Sequence, residues 1–184
     1  MKTGSQLRTI DTEVLDQLHS AWSENTVGAV VREVIDAEAP IHRDRLAKLV
    51  ANAFGLGRVN EDRRRSIRRV VPDVQTRAND PDFYWPADVD PGSWLTVRIP
   101  SEGQSRALDE VSLFEIGNAM TIVVERAGGM GQEEHKTETL GMFGGRRKTQ
   151  AISDRLDEAL RFALARNVLR LADSGLVLLR ESKA

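Results

Sequence analysis

The apolar positions of residues 26–74 recur without a gap in residues 115–163, at an offset of 89, the spacing between Phe54 and Phe143. Each copy opens with apolar residues at positions i, i+3, i+4, i+7 and i+8, which predict an amphipathic helix. The two sets are Val27, Val30, Val31, Val34 and Ile35, and Ile116, Ala119, Met120, Val123 and Val124. Because apolar positions repeat while polar ones drift, the pattern indicates two copies of one small fold.

Two further helices and a β-hairpin follow in each copy. In the first copy we predict helices over about 43–54 and from Asn60, a suitable N-cap, and then an aromatic strand at 83–85. In the second copy we predict helices at 112–127, 132–143 and 149–166, and a hairpin at 168–179. The order predicts a mainly α fold with small β-hairpins (α+β), arranged as tandem winged-helix domains.

The predicted organisation is a lead-in at 1–20, a first winged-helix domain at 21–87, a connector at 88–110 with one strand at 94–99, and a second winged-helix domain at 111–184. The middle helix of the second copy departs from the pattern, because it has lost its apolar face. The positions of Leu46, Leu49 and Val50 are taken by His135, Glu138 and Thr139. We therefore expect this helix to be short, shifted or frayed.

Composition indicates the cellular compartment of the protein. The chain has no cysteine, which excludes disulfides and thiolate metal sites and favours a reducing cytoplasm. The N-terminus is polar, so no signal peptide is predicted, and no stretch approaches the roughly 20 apolar residues of a membrane helix. A cytoplasmic protein without a membrane partner is expected.

The net charge of −2 conceals two basic segments. Six arginines stand against two acidic residues in 58–71, and four cations against one acidic residue in 146–155. If Ile67 faces inward in the third helix of the first copy, Arg65 and Arg69 point outward and Arg68 lies on the flank. Arginine suits phosphate and guanine contacts, so we predict DNA binding through Arg58, Arg65, Arg68, Arg69 and Arg77. A solvated arginine face and docking to an acidic protein surface are the alternatives.

The third helix of the second copy has the opposite sign. Asp154, Asp157 and Glu158 replace Arg65, Arg68 and Arg69, and an acidic face repels a phosphate backbone. We predict that these three residues dock a protein partner, or that they pack on the basic helix of the first copy. The cations of the preceding turn, Arg146, Arg147 and Lys148, are predicted to contact phosphates.

Catalytic, metal and cofactor motifs do not emerge from the sequence. The run 144–149 ends like a phosphate-binding loop, but Arg147 precedes Lys148 where that motif needs glycine. The histidines, His19, His42 and His135, are scattered without a second ligand at i+3 or i+4. We therefore predict a non-enzymatic protein with no cofactor, metal or small-molecule substrate.

Several short motifs resemble the DUF3320 family, the C-terminal region of large bacterial superfamily 1 helicase-like proteins. They are Glu38-Ala39-Pro40-Ile41-His42, Ala53-Phe54-Gly55-Leu56, Phe83-Tyr84-Trp85-Pro86, and Phe143-Gly144 before Arg147-Lys148-Thr149. The resemblance spans roughly residues 21–179. It implies a tandem winged-helix module appended to a helicase or nuclease engine that this chain lacks. The family's Thr-Gly-Ser-Arg turn is not kept in either copy.

Together these features predict a DNA-binding accessory module of a helicase-type protein, with duplex or forked DNA or the helicase core as partner. The alternative is a protein-interaction module that docks through the acidic second copy. Salt separates the two predictions, because phosphate contacts weaken steeply with salt and an apolar docking surface does not.

Overall fold

A computed structural model describes residues 15, 20–72, 76 and 80–180. The chain divides into two compact units, Met1–Asp88 and Val89–Ala184, which contain the first and second copies of the repeat. The described residues are mainly helical with small antiparallel sheets, which confirms the predicted α+β class. No helix in this part of the chain is long and apolar enough to cross a membrane.

The first unit is built from three helices and a small sheet. Its elements are α1 (Ala21–Glu38), β1 (Ile41–His42), α2 (Arg43–Ala53), α3 (Glu61–Arg69) and β2 (Phe83–Tyr84). Helix α1 ends before Pro40. As predicted, α3 starts after Asn60, whose side chain accepts a hydrogen bond from the Arg63 amide at 2.9 Å. Strands β1 and β2 are antiparallel, and Thr76 forms a further bridge to Tyr84.

The apolar faces of the three helices form the core of the first unit. The predicted stripe of α1 contributes Val27, Val31 and Ile35, all fully buried. They meet Leu46, Ala47, Val50 and Phe54 from α2 and its end, and Ile67 from α3. Helix α3 contributes one fully buried residue in nine, and Glu61, Asp62, Arg65 and Arg69 are its exposed residues.

The second unit repeats this order. Its elements are α4 (Leu113–Ala127), β3 (Met130–Gly131), α5 (Gln132–Met142), α6 (Gln150–Ala165), β4 (Leu169–Leu171) and β5 (Leu176–Leu179). The strands pair in the order β3–β5–β4, and β4 and β5 form the predicted hairpin. In both units the strand that follows the first helix therefore pairs with the last strand. The anchor residues Phe54 and Phe143 are both completely buried.

The expectation of a short or frayed middle helix in the second unit is wrong. Helix α5 has 11 residues, the same length as α2. Its inward face is polar and mostly hydrogen-bonded: buried His135 Nε2 lies 2.9 Å from the Met120 carbonyl oxygen, and the buried Thr139 hydroxyl donates to the His135 carbonyl at 2.7 Å. Among the described residues, His135 Nδ1 has no hydrogen-bond partner. Since buried polar groups with partners cost little, this helix persists without an apolar stripe.

The strand predicted at 94–99 is not formed. This segment is extended without strand pairing, and the Arg98 amide donates to the Glu115 carboxylate at 2.7 Å instead of to a neighbouring strand. All but the first residue of the predicted connector, 88–110, lies in the second unit. The predicted lead-in lies outside the described residues except for residues 15 and 20.

Two glycines have a left-handed backbone, and we expect their replacement by alanine to lower stability by unequal amounts. Gly55 and Gly144 follow the middle helix of each unit, with φ of 80° and 75°. An added Cβ at Gly55 has nothing within 4 Å, whereas at Gly144 it would overlap the Gln104 carbonyl oxygen. We expect Gly55→Ala to cost about 1 kcal/mol and Gly144→Ala about 3 kcal/mol, because the second adds a backbone clash to the left-handed strain. Urea unfolding of both variants checks this, and equal losses would contradict it.

Candidate nucleic-acid interface

Helix α3 presents two of its predicted arginines to solvent. Arg69 is exposed, and the Arg65 side chain retains 58% of its accessible surface. Arg65 lies 3.3 Å from Asp62, whose side chain is itself 88% exposed. Such an exposed pair contributes little and breaks readily. Both guanidinium groups can therefore reach a partner without disturbing the core.

Arg68, also predicted to contact DNA, is occupied within the unit. Its Nη2 lies 2.8 Å from Asp44 on α2, and its Nη1 lies 3.6 Å from Glu61. Arg64 is 3.6 Å from the same Asp44 oxygen. Burial would raise the pKa of Asp44, but His42, Arg68 and Arg64 together hold it below its ordinary value. Arg68 thus links α2 to α3, which is a structural role.

Arg58 lies in the turn between α2 and α3 and is exposed, as the sequence predicts for a phosphate contact. Among the described residues, no carboxylate lies within ion-pair distance of Arg58 or Arg69. Arg77 lies outside the described residues. The structure therefore leaves three predicted arginines of the first unit exposed to a ligand: Arg58, Arg65 and Arg69.

The basic turn of the second unit is only partly exposed. Arg146 and Arg147 are exposed, whereas Lys148 Nζ lies 3.1 Å from Glu133 and keeps 27% of its side-chain surface. Arg147 is the counterpart of Arg58 in the repeat. Two of the three predicted cations in this turn are thus available to an anionic partner.

Each acidic residue predicted to dock a partner has a contact inside its own unit. Asp154 accepts from Gln150 at 2.8 Å, and Glu158 lies 2.9 Å from Arg155. Asp157 lies 2.6 Å from Lys136, whose side chain is 10% exposed. Burial would lower the pKa of Lys136, but its carboxylate partners raise it above its ordinary value.

The Lys136–Asp157 pair links α5 to α6, as the Asp44–Arg68 pair links α2 to α3. Asp157 stands at the repeat position of Arg68, and in both units this position forms an ion pair with the middle helix. The partner on the middle helix is at a different position, because Lys136 stands at the repeat position of Ala47. The acidic residue at this position of the third helix therefore serves the packing of the second unit.

We accordingly expect Asp157→Ala to destabilise the second unit by about 2 kcal/mol, because it removes one carboxylate from a largely buried ammonium group. Asp154→Ala, which removes the same charge from an exposed position, should change stability by less than about 0.5 kcal/mol. Chemical denaturation of the two variants measures the difference. Equal stabilities would show that Asp157 is a surface residue available for docking.

Glu115 is a buried charge that the sequence analysis missed. Its side chain has no accessible surface, and its two oxygens lie 2.5 Å from Arg106 Nη1 and 2.7 Å from Arg98 Nη2. Ser112 caps α4 by accepting from the Glu115 amide at 3.1 Å. The sequence does contain a serine followed three residues later by glutamate. This pattern predicts the start of a helix, but it does not predict a buried ion cluster. This cluster ties residues 98–106 to α4.

The comparisons with known proteins identify one family. The family described as "Protein of unknown function (DUF3320)" matches residues 16–65, which include α1, α2 and the start of α3. This match supports the resemblance to DUF3320 over these residues. No curated protein and no solved structure matches the chain. Within the described ranges, no group of three or more His, Asp or Glu side chains is arranged to hold a metal ion.

Proposed function

We propose that this chain is a non-catalytic module that binds DNA through its first unit. The observation that carries the proposal is the surface formed by Arg58, Arg65 and Arg69, which are exposed and contribute nothing to the apolar core. Guanidinium groups on one helix and the adjoining turn suit contacts to phosphates and to guanine. Arg68 supports this surface by fixing α3 against α2, and it is not itself a primary contact.

The proposed architecture is a tandem of winged-helix domains. Its support is the order of elements in each unit, in which a helix, a strand and two further helices precede the strands that complete the sheet. In proteins of this class the third helix commonly enters the major groove, which places α3 and its arginines against base edges and phosphates. The DUF3320 match and the motif resemblance support a further proposal, that the module serves a helicase-type protein.

In this proposal the second unit contributes less to DNA binding than the first. Its third helix is acidic, so its contacts with DNA are limited to the exposed turn cations Arg146 and Arg147. The alternative, docking of a protein through Asp154, Asp157 and Glu158, has less support, because Asp157 is paired with the largely buried Lys136 and links α5 to α6. The first unit is therefore the principal DNA-binding unit in this proposal.

Titration of fluorescent duplex DNA with the full chain over a salt series tests the proposal. Three phosphate contacts predict that log K falls against log salt with a slope of about −3. Forked and single-stranded DNA in the same series establish which form is preferred. An absence of binding at low salt, or affinity that does not change with salt, would contradict DNA binding through the arginines.

A further inference from the structure

A concavity of about 350 Å³ lies in the first unit, where the second half of α2 meets the turn that leads into α3. It is lined by Lys48, Ala51, Asn52, Leu56, Gly57, Arg58, Val59 and Arg64. Three of these eight residues are cations and none is acidic. The concavity therefore has a positive lining, and its size is in the range of sites that hold small organic ligands.

The lining combines cationic and apolar residues. Lys48 and Arg58 are exposed at its edge, while Arg64 keeps 27% of its side-chain surface and lies 3.6 Å from Asp44. Asp44 offsets part of the Arg64 charge but does not line the concavity. Leu56 and Val59, both half-buried, add apolar surface to the lining, while Ala51 is almost fully buried. A ligand that carries both an anionic group and a small apolar or ring-shaped group fits this combination.

At the equivalent positions, the second unit has fewer cations and less space for a ligand. At the repeat positions of Lys48 and Arg64 it has Thr137 and Ser153, so two of the three cations are absent. Leu140 replaces Ala51, and its side chain lies so close to Gly145 that an added Cβ there would overlap it. The concavity is consequently a property of the first unit and not a by-product of the repeated fold.

We propose that this concavity binds a phosphate monoester attached to a small ring, with the phosphate between the three cations and the ring against the apolar lining. A monoester carries up to two negative charges, whereas an internal phosphodiester carries one, so the monoester matches three cations better. Two sources supply this chemistry: a free mononucleotide, or the 5′-phosphorylated end of a DNA strand. The second source rests on the proposed function.

The test uses the full chain with AMP and with two duplexes that differ only in a 5′-phosphate or a 5′-hydroxyl end. Calorimetry should detect AMP binding, and Lys48→Ala/Arg58→Ala should weaken it at least about tenfold, the loss expected for a charge-assisted hydrogen bond. Arg65→Ala/Arg69→Ala, which removes the same charge outside the concavity, should retain AMP binding. If strand ends are a source, the wild type should also prefer the 5′-phosphorylated duplex, and the Lys48/Arg58 variant should lose that preference.

The outcomes separate this inference from the proposed function. AMP binding without a preference between duplexes would identify the free mononucleotide as the source and support the site. AMP binding in a protein that binds no duplex would refute the proposed function and leave the site established. DNA binding that ignores the 5′ end, together with no AMP binding, would refute the site alone. AMP binding that the Lys48/Arg58 variant fully retains would also refute it.

Discussion

Replacing Glu115 with glutamine is expected to destabilise the second unit by about 3 kcal/mol, because it leaves two arginines in a buried cluster without their counter-charge. The carboxylate is fully buried and bonded to Arg98 and Arg106. Its loss should loosen both α4 and the extended segment that it holds. Glu125→Gln, an exposed change on the same helix, is the matched control and should alter stability by less than about 0.5 kcal/mol.

Hydrogen exchange resolved by peptide measures the effect unit by unit. Peptides from residues 113–127 should exchange faster in Glu115→Gln than in the wild type and the control, while peptides from residues 43–53 should not change. Unaltered exchange across α4 would show that the cluster contributes nothing to the stability of the second unit.

The same cluster makes the second unit sensitive to acid. Burial would raise the pKa of Glu115, but hydrogen bonds and charge from Arg98 and Arg106 hold it below its ordinary value of 4.5. Stability from a lowered pKa is present above the unfolded-state value and is lost as the pH falls through the folded-state value. The wild type should therefore lose more stability below pH 4.5 than Glu115→Gln does. Burial also lowers the pKa of His135 below its ordinary value of 6.5. As the pH falls below 6.5, both proteins should therefore begin to lose stability, before the pH reaches 4.5.

Simultaneous replacement of Arg58, Arg65 and Arg69 by alanine is expected to weaken duplex binding about 100-fold at low salt, since each lost phosphate contact costs about 1 kcal/mol. All three side chains are exposed, so the variant should retain its thermal stability. Arg68→Ala should behave differently, because it breaks the 2.8 Å link to Asp44 and lowers stability. Anisotropy and thermal unfolding, measured on both variants, check the two effects. Full affinity in the triple variant would contradict the proposed interface.

The sequence predicted the elements whose signals are local. Apolar spacing located α1 and α4, Asn60 marked the start of α3, and the hairpin predicted at 168–179 is formed by β4 and β5. These features depend on residues a few positions apart, so the pattern along the chain contains them. The outward direction of Arg65 and Arg69 followed from the same helical periodicity.

The predictions that were wrong concern residues whose hydrogen-bond or ion-pair partners lie far along the chain. Helix α5 was expected to fray because His135 replaces Leu46, and the sequence cannot show that the Met120 carbonyl, 15 positions earlier, accepts a bond from its imidazole. Residues 94–99 were predicted to form a strand, but the Arg98 amide donates to the Glu115 carboxylate instead of to a neighbouring strand. The role of Arg68 was likewise set by Asp44, which lies 24 positions earlier. Side-chain partners of this kind override local preference.

The central claim is that the first unit, and not the second, provides the main contacts with DNA. The most direct measurement compares Arg65→Ala/Arg69→Ala with Arg146→Ala/Arg147→Ala, two variants that remove equal charge from exposed positions of the two units. Duplex affinity is measured by anisotropy across a salt series. The first variant should lose affinity and its salt slope should become shallower by about 2, while the second variant should stay close to the wild type. Equal losses in the two variants, or a larger loss in the second, would contradict it.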